Sequence, residues 1–398
     1  MANGQQGAFP IRYSLTTGAE PRNLRGRDKF TTDNLKGETM LCFSNNIRTA
    51  VVVGCLLSIT STWPVRADCQ YPATFARGIS LASAEFQANR IPGTYGRDYV
   101  YPPVQSLDYY KNRGFDLIRL PFLWERLQPA LFGDLDQAEL GRIRQVVAAA
   151  RDRCMRLILS PHNFGRYSIQ GKPTLIGSAE VPDAAFADFW KRTASAFAGE
   201  PAVYAFSLMN EPHDTNGVWG RTAQVGLDAI RSIEPRRLVL VPGDHWTGAW
   251  SWKRFNNAFS VHDASDMVIY EAHQYFDSDH SGVYRQSYEQ SAAYPDIGAN
   301  LVRPFAQWLG EHSARGILAE FGAPNDDPRW LEVIDHLLPW LDHERISWIY
   351  WAGGPRWGNY PLSAEPRGST DAPIMQILTK YSSLDGRRQP GTREPDAH

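Results

Sequence analysis

The sequence predicts an α/β chain closed into a single (β/α)8 barrel, the TIM barrel. Three observations carry that expectation: eight short apolar runs, amphipathic stretches between them, and polar residues gathered at the runs' C-terminal ends. The first run spans Phe75 to Phe86. The second, Phe115 to Phe122, carries Arg119 near its end, and the third, Met155 to Asn163, closes on His162-Asn163. The fourth, Val203 to Pro212, ends in Asn210-Glu211, and the fifth, Arg237 to Trp246, ends beside His245. The sixth, Val268 to Asp277, holds His273 and Tyr275; the seventh, Gly316 to Pro324, presents Glu320; the eighth, Ile346 to Pro355, presents Trp351. Each is rich in Val, Ile, Leu and aromatics, as strands are. Between runs, segments such as Asp136 to Arg153 and Asp327 to Glu344 repeat apolar residues at three and four residue spacing, as helices of an outer ring do. An open doubly wound sheet alternates in the same way. The polar strand ends favour the barrel, where such ends converge on one rim.

The chain has 398 residues, 43% hydrophobic and 21% charged, which suits one large globular domain with insertions. Net charge is −2 and no basic stripe is present, so nucleic acid is not an expected partner. Thirteen Trp and 17 Tyr offer aromatic faces with polar tips, for packing or for sugar binding. Arg48 precedes an apolar run, Thr49 to Trp63, followed by Val65-Arg66-Ala67 with small residues where a signal peptidase reads. The expectation is an extension plus secretory signal over 1–67 with Met40 as a candidate start, a catalytic barrel over 68–381, and a disordered tail over 382–398. A membrane anchor competes, although these 15 residues fall short of the roughly 20 needed to span. Val52-Val53-Gly54-Cys55 keeps a lipid anchor open. The mature chain would carry 33 basic against 39 acidic residues and be secreted, periplasmic or extracellular, as a monomer without membrane attachment. Only Cys69 and Cys154 lie beyond Ala67, and an oxidising destination permits a bond that the sequence leaves undecided. No metal-ligand spacing appears, and no cofactor is expected.

Glu211 and Glu320 each follow an apolar strand, so both are expected over the barrel mouth. Two such carboxylates can divide the work of glycoside hydrolysis: one protonates the leaving oxygen, the other attacks the anomeric carbon from the opposite side. Structural ion pairing is the alternative for both. Arg119 is placed to hydrogen-bond Glu320 and hold it ionised. His162, Asn163 and Asn210 are candidates for binding sugar hydroxyls, against the ordinary structural role of a lone histidine. Period 2 puts His273 and Tyr275 on one face of their strand. Trp351, followed by Ala352-Gly353-Gly354, can offer a flat face to a glucose ring or pack in the core.

With these motifs in order, the chain resembles glycoside hydrolase family 5 of clan GH-A, and within it subfamily 5, the endo-β-1,4-glucanases. The likeness spans Gly78 to Tyr381 and rests on Ile91-Pro92-Gly93-Thr94-Tyr95-Gly96, the Arg119 run, Ser160-Pro161-His162-Asn163, Asn210-Glu211-Pro212-His213-Asp214, Trp246 to Trp250, His273 to Asp279, Ala319-Glu320-Phe321-Gly322 and Trp351 to Tyr360. It implies a retaining endo-cellulase with Glu211 as acid/base after strand four and Glu320 as nucleophile after strand seven. It also implies that Arg119, His162, Asn210, His273, Tyr275 and Trp351 line the subsite of the reacting sugar, with a β-glucan polysaccharide or oligosaccharide as partner. The same mechanism on mannan, xyloglucan or mixed-linkage glucan is the first alternative, and a non-catalytic carbohydrate-binding barrel the second. Arg356, in Pro355-Arg356-Trp357 where relatives tend to carry a Trp-Trp pair, and His245 are the departures, and both bear on substrate preference. Without a binding module, soluble or amorphous chains are the expected substrates.

Overall fold

The computed structural model describes Cys69 and residues 76–382. The expected signal segment, the Met40 start and residues 383–398 lie outside the described residues.

Eight parallel strands close a barrel: β1 Arg77–Leu81, β2 Leu117–Phe122, β3 Arg156–Pro161, β4 Val203–Ser207, β5 Leu238–Pro242, β6 Val268–His273, β7 Gly316–Glu320 and β8 Ser347–Gly353. Every one falls within an expected apolar run. Each pairs with its chain neighbour, and β8 pairs with β1 to close the ring. The helices that follow the strands in turn are α1 Val104–Lys111, α2 Gln137–Asp152, α3 Asp183–Ala196, α4 Trp219–Arg231, the single turn α5 Trp252–Phe255, α6 Ile297–Glu311, α7 Pro328–His343 and α8 Ile374–Ser382.

Local chemistry sets the helix starts. The Asp136 carboxylate accepts the Glu139 N–H and caps α2, while Asp327 accepts the Arg329 N–H and caps α7, with Pro328 as its first residue. Helix α8 runs one residue into the expected tail: Ser382 is buried and donates its hydroxyl to the Arg113 carbonyl, a tertiary contact that local polarity does not announce. An antiparallel hairpin after β3, Arg166–Ile169 with Lys172–Leu175, was not anticipated. Its Gln170-Gly171 turn has positive φ at both residues (50° and 80°), the conformation of a two-residue hairpin loop.

The strand period then divides the core. Leu117, Ile158, Ala205, Leu240, Ile269, Ile317 and Ile349 pack together inside the barrel, while the alternate residues face the helices. Two positions further along several strands the interior becomes polar: Leu117 leads to Arg119, Ile158 to Ser160, Ala205 to Ser207 and Ile269 to Glu271. This change of layer builds the floor of the site. Cys69 is disulfide-bonded to Cys154, which precedes β3 at the opposite end of the barrel.

Candidate active site

Arg119 is fully buried and distributes its guanidinium among three strand ends. Nη1 donates to Glu320 Oε2 at 3.0 Å; Nη2 donates to Asn210 Oδ1 at 2.7 Å and reaches Glu271 Oε1 at 3.3 Å. Tyr275 donates its hydroxyl to the other Glu320 oxygen at 2.8 Å. His273 Nδ1 meets Glu211 Oε1 at 2.8 Å, its Nε2 meets Glu271 Oε1 at 3.1 Å, and Nδ1 lies 3.8 Å from Glu320 Oε2. Where β6 advances one residue from Ala272 to His273, β7 advances two, from Leu318 to Glu320, so the bulge lies in β7 and re-aims Glu320 to stand opposite His273. Glu211 follows β4 with φ of +41°, a left-handed conformation that costs a non-glycine residue energy and recurs at functional sites.

One oxygen of Glu211 and one of Glu320 lie within 4.8 Å of each other and of a His273 nitrogen. Three such groups can hold a metal ion. Here both imidazole nitrogens already lie within hydrogen-bond distance of carboxylates, Nδ1 of Glu211 and Nε2 of Glu271, and those contacts compete with their use as metal ligands. Burial opposes charge on His273, yet Glu320, Glu211 and Glu271 outweigh it and raise its pKa from 6.5 to about 9. Burial pushes the Glu320 carboxyl up and Glu211 adds to the push, while His273, Arg119 and Tyr275 act against them. For Glu271, burial is overcome by His273, Arg119 and Ser207, so this carboxyl lies below its ordinary value and is ionised.

His162 and Trp351 stand at the mouth with rings 12° from parallel and centroids 5.5 Å apart. Burial first, then the charges of Arg119 and His273, hold His162 neutral by moving its pKa well below 6.5. Its Nε2 is buried and has no hydrogen-bond partner among the described residues. Asn163 Oδ1 accepts the Trp124 N–H at 2.9 Å and its Nδ2 donates to Glu125 at 2.6 Å, so both ends of the amide secure the loop after β3. Trp351 packs edge-on to Trp357, which stacks on Tyr360.

The two departures are also placed. Arg356 turns from the aromatic group and donates to the carbonyls of Gly96 and Arg97. His245 stacks on Phe255 at 3.8 Å. Next to it, Trp246 is 41% exposed and lies flat on His213, with centroids 3.6 Å apart. Glu271 and Ser207, which donates to it at 2.6 Å, were missed by sequence reasoning. The available signal was the period-2 face of His273 and Tyr275, which continues back to Glu271.

The family model for cellulase, glycosyl hydrolase family 5, matches residues 79–356. Endo-beta-1,4-glucanase B of Emericella nidulans is 33% identical over 76% of this chain and 90% of its own length. Endoglucanase 3 of Humicola insolens is 32% identical over 77% and 76%, respectively. Among solved structures, Pseudomonas stutzeri endoglucanase Cel5A in complex with cellobiose is 38% identical with a TM-score of 0.75, covering 78% of this chain and 93% of that one. The Xanthomonas axonopodis pv. citri endo-beta-1,4-glucanase Xac0029 is 36% identical with a TM-score of 0.72, covering 78% and 98%. Barrel, paired carboxylates and the extent of these matches lead to one conclusion: the chain belongs to glycoside hydrolase family 5, the cellulase family.

Proposed function

We propose that this enzyme cleaves internal β-1,4 bonds of glucans with retention of configuration, with Glu320 as nucleophile and Glu211 as acid/base. The observation that carries this reading is the spacing. Carboxylate oxygens within 4.8 Å suit the roughly 5 Å of a retaining pair, whereas inversion needs about 6.5–9.5 Å to seat a water between the groups. Their surroundings support the division of roles. Arg119 and Tyr275 each donate to one oxygen of Glu320, which favours its anionic, attacking form. Glu211 is the more exposed of the two and accepts from His273 alone among the described side chains.

In the first step a Glu320 oxygen bonds to the anomeric carbon as the bond to the leaving oxygen breaks and takes the Glu211 proton. In the second, Glu211 removes a proton from water, whose oxygen attacks the same carbon and releases Glu320. Asn210, fixed by Arg119, is suited to the sugar 2-hydroxyl. The unpartnered His162 Nε2 suits another hydroxyl. Trp351 and the exposed face of Trp246 suit the apolar faces of glucose rings. Secretion belongs to the same proposal, supported by the Cys69–Cys154 bond, which is stable in oxidising compartments.

Reducing-sugar release from carboxymethylcellulose and mannan by the chain from Asp68 tests this reading. Wild type is expected to act on carboxymethylcellulose and Glu320→Gln to lose about 10⁴-fold or more of that rate. Release from mannan alone would overturn the glucan assignment, and an active Glu320→Gln would overturn the nucleophile.

A further inference from the structure

Beneath the catalytic pair lies a third carboxylate that this mechanism leaves without a task. Glu271 is fully buried and takes three side-chain hydrogen bonds: Arg119 Nη2 and His273 Nε2 on Oε1, and Ser207 Oγ on Oε2. A carboxylate in that position is costly unless its charge is used. As an ionised acceptor it requires a proton on His273 Nε2.

What the other ring nitrogen does then decides where the Glu211 proton can sit. If the ring were neutral with its single proton on Nε2, Nδ1 would hold a lone pair 2.8 Å from Glu211 Oε1. The Glu211 proton would be drawn into that contact and away from substrate. If the ring carries both protons, Nδ1–H donates to Oε1 and the Glu211 proton is left on Oε2. Charge balance selects the second arrangement. The charged and titratable groups around the ring are Arg119 from β2, His162 after β3, Glu211 after β4, Glu271 on its own strand, Tyr275 after β6 and Glu320 from β7. In the proton-donating state that the proposed mechanism requires of Glu211, with His162 neutral and Tyr275 un-ionised, the cations Arg119 and His273 face the anions Glu271 and Glu320, and the buried group is neutral.

We infer that Glu271 is a positioning residue for the acid/base: through Nε2 it keeps both nitrogens of His273 protonated, so that Nδ1–H occupies Glu211 Oε1 and the transferable proton is confined to Oε2. The His273 protons stay on the ring throughout. In the first step the Oε2–H bond breaks and the leaving oxygen gains that proton. In the second, Oε2 takes a proton from the attacking water, and the imidazolium faces a carboxylate in between.

The inference rests on the assignment of Glu211 as acid/base, and its primary test does not depend on turnover. Nitrogen-15 NMR of the wild-type enzyme near neutral pH is expected to show His273 protonated at both nitrogens; a neutral ring would overturn the proposal whether or not any variant folds. In Glu271→Gln the ring is expected to lose one proton. Its kcat should fall about 10²-fold with KM changed by less than about twofold. The alkaline limb of its pH–rate profile should move about one unit lower, and Glu271→Asp should restore part of each change. A folded Glu271→Gln enzyme with an unchanged profile and a doubly protonated ring would overturn the proposal. An active Glu320→Gln would instead remove the underlying mechanism and leave the NMR result standing.

Discussion

Tyr275 and Arg119 do not stabilise Glu320 in the same way, and the difference is measurable. Tyr275 contributes one neutral donor to Oε1, whereas Arg119 contributes charge and ties Glu320 to Asn210 and Glu271. Tyr275→Phe is expected to lower kcat by about 10²-fold. It should also move the acidic limb of kcat/KM to higher pH, because the lost hydrogen bond favoured the ionised nucleophile. An acidic limb that stays in place would show that the hydroxyl does not serve Glu320. His273 gives a stability prediction of definite sign. Its pKa rises from 6.5 unfolded to about 9 folded, so its contribution is complete below 6.5 and is lost as pH rises through about 9. Urea midpoints should fall across that window in wild type and less steeply in His273→Gln. The residues themselves were legible in the sequence because each stands at the end of an apolar run. Their partners were not: whether Asn163 faces a sugar or Glu125 depends on a loop packed from another part of the chain.

At the level of elements, the strands were legible because eight runs close a barrel, and α2 and α7 because Asp136 and Asp327 mark their starts. Register was not legible. The bulge at Ala319 in β7 and the shift between Ile79 and Leu81 arise only when neighbouring strands meet. The approach of the loop after β7 to β8 is equally tight. A Cβ on Gly322 would lie 2.3 Å from the Trp351 carbonyl oxygen, a backbone atom that cannot swing aside. Gly322→Ala is therefore expected to lower stability by about 1–3 kcal/mol. Activity should also drop beyond what partial unfolding explains, since Trp351 would be displaced. Denaturation midpoint and kcat measured on one preparation check this, and a neutral substitution would show that β8 has slack.

For the whole molecule, the Cys69–Cys154 bond closes a loop with a sequence separation of 85 around the first two βα units. Closing a loop of that length restricts the unfolded chain, and reduction is expected to cost about 2–4 kcal/mol. Equilibrium unfolding with and without a thiol reductant measures it; coincident curves would mean that the barrel gains nothing from the link. Two cysteines in the sequence permitted this pairing without requiring it. No helix among the described residues is long and apolar enough to cross a membrane.

The same link has a consequence for handling the enzyme. Cys154 lies between α2 and the start of β3, on the face of the barrel opposite the strand ends that carry Glu211 and Glu320. Cys69 is pinned there covalently. A bead, an electrode or a fusion partner coupled just ahead of Cys69 is thus anchored on the far side from the cleft, and a polymer arriving from solution still finds the catalytic rim turned outward.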